Sequence, residues 1–289
     1  MYEEHFGFKL KPFALTPDPG FLYRSRQHAI ALTMLEYGLE SQASFSLLTG
    51  EIGSGKTTLV RSLLSQLGDQ VAVGLISHTH RRFRSIHGWT LSALGIPADE
   101  HSEIAQYEAL VLSCVREYAE GRRTLLIFDE AQNLSVDVLE ELRLLSNINS
   151  EKDLILQILL VGQPELRTKL ASPELRQFAQ RVSVDFHLKP LERHETHAYI
   201  HHRLTVAGGS TSIFLPDAIE FVHARTLGVP RLVNRLCDMA LVYAYAEELQ
   251  SVDAELVAQV ERERSDASSL AALAAESQTS VGPKNGGAA

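Results

Sequence analysis

Two cysteines in 289 residues, Cys114 and Cys237, exclude a disulfide framework and a cysteine-rich metal site. Both lie among apolar residues in helical stretches and read as buried free thiols. No apolar run approaches the roughly 18 residues that a membrane-spanning helix needs. The opening MYEEHFGFKLKPF lacks the apolar stretch of a signal peptide. Positive charge is in deficit as well: 27 Lys and Arg stand against 36 Asp and Glu, a formal charge of −9. That argues against gripping nucleic acid through net charge and leaves only a local basic patch for such a role. Residues 265–289 contain no core-forming side chain beyond Leu270, Leu273 and Val281, so a disordered tail is expected there. The remaining expectation is a soluble, cytoplasmic chain whose 45% apolar content can form a sizeable core.

What is present is concentrated in one stretch, FSLLTGEIGSGKTTLV, residues 45–60. An apolar run meets Gly50, Glu51, Ile52, Gly53, Ser54, Gly55, Lys56 and Thr57, which with Thr58 are the candidate nucleotide-binding residues, and a helical period follows through Leu59, Val60, Leu63, Leu64 and Leu67. This is the G-x-x-x-x-G-K-[ST] pattern between a strand and a helix, the context in which it carries a mechanism. Glycines allow successive N–H groups to turn inward around a polyphosphate. The new helix adds its positive end at the same point. Lys56 supplies a compact charge for the β- and γ-phosphates, and the Thr57 hydroxyl a ligand for Mg²⁺.

Strand-like runs recur with helical stretches between them: Val71–Ile76, Thr124–Phe128, Leu154–Val161 and Val182–Leu188. That alternation predicts an α/β domain, a parallel five-stranded sheet flanked by helices. Ser25 is placed to cap a helix from Arg26 to Glu40. After Pro190 the strands stop, and helical patterns near 192–207, 216–226, 230–247 and 252–264 predict a small all-α domain. The expected divisions are residues 1–24 packing on the sheet domain, 25–190 as that domain, 191–264 as the helical lid and 265–289 as the tail.

The third apolar run ends in Asp129-Glu130, which puts two carboxylates at the carboxyl edge of the sheet, where ligands bind in open α/β folds. Asp129 is placed for the Mg²⁺ shell and Glu130 to polarise an attacking water. Gln163 ends the fourth run, expected beside the phosphate-loop strand, with its amide in reach of the γ-phosphate or the water; it also reads as a surface turn. Arg176 and Arg181 precede the fifth run and either project into a neighbouring subunit's nucleotide or sit as solvated helix-end cations. Arg181 is favoured because it directly precedes the strand. Arg231 follows Gly228-Val229-Pro230 at a helix start, the disfavoured end for a cation, which a phosphate would explain and a salt bridge would also satisfy. Arg81, Arg82 and Arg84 with Phe83 form a basic, aromatic loop suited equally to DNA or to solvent. His194, His197, His201 and His202 read as a solvated helix face.

The residues FGFKLKPFALTPDPGFLYRSRQHAIALTMLEYGL, then GEIGSGKTTL, LLIFDEAQNL, LVGQPEL, LRQFAQRV and GVPRLVNRLCDMAL, follow one another in an order that resembles the AAA+ ATPases. Within them the chain resembles the ExeA, or general secretion pathway protein A, group, from Met1 to about Glu263. Transposition ATPases of the TnsC and TniB kind share much of the pattern. The resemblance implies an ATP- and Mg²⁺-dependent ATPase. Its Walker A would be Gly50–Thr57, its Walker B Asp129 and Glu130, its sensor-1 position Gln163, its arginine finger Arg181 and its sensor 2 Arg231. Gln163 departs from the asparagine usual at sensor 1. The resemblance also implies a homo-oligomeric ring or filament, and an inner-membrane or envelope-assembly partner in secretion, pilus or exopolysaccharide systems. The larger secretion members continue into a membrane span and a peptidoglycan-binding domain; neither occurs in this sequence, so direct cell-wall binding is not carried over. DNA association of the transposition kind is the alternative.

Overall fold

The computed structural model describes residues 1–16, 18–41, 43–77, 85–97, 102–149 and 153–263. The Arg81–Arg84 loop and the 265–289 tail lie outside the described residues. Two units divide the chain: Pro17–Pro190, and Met1–Thr16 together with Leu191 onward.

The first unit is built on a sheet of five strands: β1 (Phe45–Gly50), β2 (Val71–Ile76), β3 (Arg123–Phe128), β4 (Leu156–Gly162) and β5 (Val182–Leu188). All pairs are parallel, and the order is β2-β3-β4-β1-β5. Alternate residues of a strand face opposite sides, so a sheet covered on both faces needs nearly continuous apolar strands. Phe45, Leu47, Leu126, Phe128, Leu156, Ile158 and Leu160 pack into the core on one face. Leu48, Leu125, Ile127, Leu159, Val161 and Leu188 pack into the core on the other.

That second face is covered by α2 (Arg26–Glu40), through Ala31, Leu32 and Leu35, and by α3 (Lys56–Leu64), through Leu59, Val60 and Leu63. The first face is covered from α4 (Ile86–Ala93), α5 (Glu103–Ala119), α6 (Val136–Leu145), α7 (Pro164–Leu170) and α8 (Arg176–Ala179). Each of α2, α4, α5 and α6 starts at a serine whose hydroxyl accepts a backbone N–H of the first turn. Pro173 separates α7 from α8 through a short 3₁₀ turn, because proline cannot continue the helical ladder.

The second unit contains α1 (Tyr2–Phe6), α9 (Arg193–Val206), α10 (Pro216–Thr226), α11 (Pro230–Ala246) and a helical run over 254–263. From the sequence, residues 1–24 are expected on the sheet domain; Met1–Thr16 is instead part of this helical unit. Arg203 supplies a physical reason. Its side chain is buried on α9, and a buried guanidinium needs oxygen partners. It donates to Pro12 O at 2.6 Å, to Ala14 O at 3.1 Å and to the Tyr199 hydroxyl at 3.3 Å. Phe13 packs edge-on against Phe214, and the Tyr2 hydroxyl donates to Asp238. The aromatics at positions 2, 6, 8 and 13 are core residues of the helices, not of the sheet. Gly228, at φ +73°, brings the start of α11 against Leu191, where a Cβ would lie 1.9 Å from Leu191 O. Among the described residues no helix is long and apolar enough to cross a membrane.

Candidate active site

Parallel strands end on one side, so Gly50, Asp129 and Gln163 come to the same edge from β1, β3 and β4. At that edge β1 turns into the phosphate loop. Gly53 and Gly55 take left-handed backbone angles, φ +79° and +102°, which glycine adopts without the Cβ penalty. Gly50 is required for closeness: a Cβ there would sit 2.7 Å from Leu188 O. Gly55 is the N-cap of α3 and offers no side chain, so the amides of Lys56, Thr57 and Thr58 open the helix without a side-chain cap from it. Ser54 is fully buried, and among the described residues its hydroxyl has no partner.

Lys56 is 7% exposed, and its ammonium donates to Gly50 O at 2.7 Å and Glu51 O at 2.9 Å. Burial holds its proton affinity below the ordinary lysine value, an effect that the carboxylates of Glu130 and Asp129 partly offset. The Thr57 hydroxyl donates to Asp129 Oδ2 at 3.2 Å. The two sequence motifs, 72 residues apart, therefore meet through one hydrogen bond. Asp129 Oδ1 accepts from the Glu130 N–H at 2.9 Å.

Glu130 is exposed and adopts φ +55°, a left-handed conformation that costs a side-chain-bearing residue about 1 kcal/mol or more. Its Oε2 accepts from Gln132 Nε2 at 2.6 Å and from Gln163 Nε2 at 3.2 Å. Gln132 Oε1 in turn accepts from the Gln163 N–H at 3.1 Å. Lys169 fixes the turn by donating to Gln132 O and Leu134 O at 2.6 and 2.7 Å. Gly162 allows the packing, since a Cβ there would lie 2.9 Å from Gln132 Oε1. A cavity of about 260 Å³ lined by Ile76, Ser77, Phe128, Asp129, Glu130, Asn133 and Leu134 opens beside the carboxylates.

Sequence reasoning missed Gln132. Its signal was there, an amide two residues beyond Glu130, but its partner Gln163 lies 31 residues further on. The two arginines ahead of β5 part company. Arg181 is half-buried and donates to Arg143 O at 2.9 Å, Ser146 Oγ at 2.5 Å and Asn147 Oδ1 at 2.8 Å. Its guanidinium ties β5 to the end of α6 within the same chain. Arg176, in the first turn of α8, is exposed. Arg231 is exposed near the start of α11, in the helical unit. On α9 the rings of His197 and His201 stand 5.2 Å apart.

These residues fit a nucleotide with Mg²⁺. The α3 amides and Lys56 suit phosphate oxygens, the buried Ser54 hydroxyl lacks a partner among the described residues, and Thr57 with Asp129 forms an all-oxygen pair of the type hard cations take.

Residues 39–170 match the AAA domain family. The chain is 39% identical over 251 residues to General secretion pathway protein A of Aeromonas hydrophila, covering 85% of this chain and 45% of that protein. It therefore spans less than half of that relative's length. Among solved structures, the ORC2 protein of Aeropyrum pernix in ADPNP–ADP complexes superposes with a TM-score of 0.64 at 20% identity, over 88% of this chain and 71% of that one. Cdc6p of Pyrobaculum aerophilum gives 0.65 at 17%, over 87% and 70%. The Thermotoga maritima RuvB branch migration motor gives 0.51 at 18%, over 83% and 69%. At these identities the likeness is one of fold.

Proposed function

The chain is an AAA ATPase similar to the general secretion pathway protein A group, and from that premise we propose that its ATP hydrolysis drives assembly or export of an envelope complex. The observation that carries the hydrolytic reading is the Thr57–Asp129 hydrogen bond, which joins the phosphate loop to the acidic strand end. Thr57 and Asp129 would hold Mg²⁺, which supplies charge neutralisation at the β- and γ-phosphates when bound.

The chain's own groups do the rest. Lys56 and the first amides of α3 bind and orient the phosphates. Glu130 accepts the proton of the attacking water at its carboxylate. Gln132 and Gln163 hold that carboxylate by two amide N–H groups and set its direction. For charge supplied between subunits, the exposed Arg176 is the candidate; Arg181 makes three hydrogen bonds inside its own chain. Arg231, exposed near the start of α11, is proposed to take a phosphate, since a cation at a helix start calls for an anion.

The envelope role rests on 39% identity to a secretion protein. A second reading, DNA-associated work, has the basic, aromatic stretch of Arg81, Arg82, Phe83 and Arg84 behind it, and the net charge of −9 against it. ATP turnover measured against protein concentration, with and without DNA, tests both. Specific activity that climbs with protein and ignores DNA is expected. A climb that requires DNA would reverse the order of the two readings, and flat specific activity would remove the oligomeric site.

A further inference from the structure

His28 lies in the first stretch quoted for the family resemblance and carries none of the roles assigned above, yet it touches the phosphate loop from behind. It sits in the first turn of α2, 5% exposed. Its Nε2 stands 3.2 Å from Ser54 O and its Nδ1 2.8 Å from Ser25 Oγ. A carbonyl oxygen only accepts, so the ring proton on this side is on Nε2. In the neutral ring Nδ1 then accepts from the Ser25 hydroxyl, while the same hydroxyl oxygen accepts the His28 N–H at 3.3 Å and caps α2. The Ser54 carbonyl thus selects the ring's tautomer, and one serine, Ser25, both caps the helix and donates to the ring.

The bond to Ser54 has a directional consequence. A trans peptide holds its C=O and the next N–H on opposite sides. With Ser54 O drawn toward His28, the Gly55 N–H faces away from it. Gly55 has φ +102°, and a Cβ on it would lie 2.8 Å from His28 Nε2, so the imidazole is seated directly against the loop's turning point. We propose that His28 is a positioning residue which orients the Ser54–Gly55 peptide so that the Gly55 N–H points into the phosphate cradle, coupling anion binding to the start of α2. The proposal rests on reading Gly50–Thr57 as that cradle.

The test uses the full chain and Mg-ADP. His28→Leu removes the donor at similar volume. It is expected to weaken ADP binding by about tenfold, the equivalent of one hydrogen bond of about 1.4 kcal/mol, and to speed hydrogen exchange at the amides of residues 53–57. His28→Gln, whose terminal NH₂ donates at similar reach, is expected to recover ADP affinity to within about threefold of wild type. ADP affinity of His28→Leu within about twofold of wild type, less than a hydrogen bond's worth, would overturn the role of His28. So would a His28→Gln variant as weak as His28→Leu at the same melting temperature, because ring packing rather than the donated bond would then be responsible. If His28→Leu fails to fold, the His28→Gln affinity and exchange pattern decide alone. A wild-type chain that does not bind ADP would sink the cradle reading itself, which separates the two failures.

Discussion

The two halves of the candidate site are built on opposite plans. The phosphate loop is one continuous stretch, Gly50–Thr57, whose shape comes from glycines at fixed spacing and from the helix that it opens. The carboxylate corner is assembled from separate places: Asp129 and Glu130 after β3, Gln132 in the turn beyond, and Gln163 after β4. A loop made of neighbours is specified by local backbone preference. A corner made of distant residues is specified only when the strands pair.

The sharpest way to break that contrast is to remove one group from each half. Lys56→Ala is expected to lose both ADP binding and turnover, the latter by about 100-fold or more. Glu130→Gln is expected to lose about 100-fold or more of turnover while still binding ATP, as for removal of a general base. Steady-state turnover beside nucleotide titration checks both; a Glu130→Gln chain at wild-type rate would take the base role from Glu130.

A smaller effect is expected from Gln132→Leu, which leaves Glu130 with fewer donors. Turnover should fall about tenfold, one hydrogen bond to a charged group, with ADP affinity unchanged. Equal loss in affinity would mean that the corner shapes the loop as well.

The arginines sharpen the comparison from the stability side. Arg181→Ala removes a charged donor with three oxygen partners and is expected to cost about 2 kcal/mol in denaturant unfolding. Arg176→Ala is expected within about 0.5 kcal/mol of wild type, with loss confined to the concentration-dependent part of turnover. The reverse pattern would return the between-subunit role to Arg181.

The smallest expected effect concerns Lys56 as a charge. Its folded-state proton affinity is lowered by burial, so the unfolded chain binds more protons in the window just below the ordinary lysine value. Stability therefore gains from this group as pH rises through that window, and at neutral pH the buried ammonium is a cost. Lys56→Met should leave the melting temperature unchanged or raise it by about 2–4 °C, despite abolishing nucleotide binding. A drop of that size would mean that the bonds to Gly50 O and Glu51 O outweigh desolvation.

Much of the sheet was legible because its signals are local. The fifth strand runs over Val182–Leu188, as its alternation predicts, and the interruption at Pro173 falls where proline forbids the ladder. Gln163 comes beside the phosphate-loop strand, as a fourth run paired with the first requires. The destination of Phe6, Phe8 and Phe13 was not legible: aromatic content says that a segment is buried, not against what. Nothing in the string distinguishes an Arg181 bonded to its own chain from one aimed at a neighbour.

The sequence by itself determined the parallel α/β sheet, the phosphate loop and the acidic strand end, because hydrophobic period and glycine backbone freedom act over a few residues. Only the tertiary structure decided that Met1–Thr16 joins the helices, that Gln132 and Gln163 hold Glu130, that Arg181 is a staple and that His28 backs the loop. Each of these depends on which buried donor finds which acceptor across tens of residues, and only the packed fold makes that pairing.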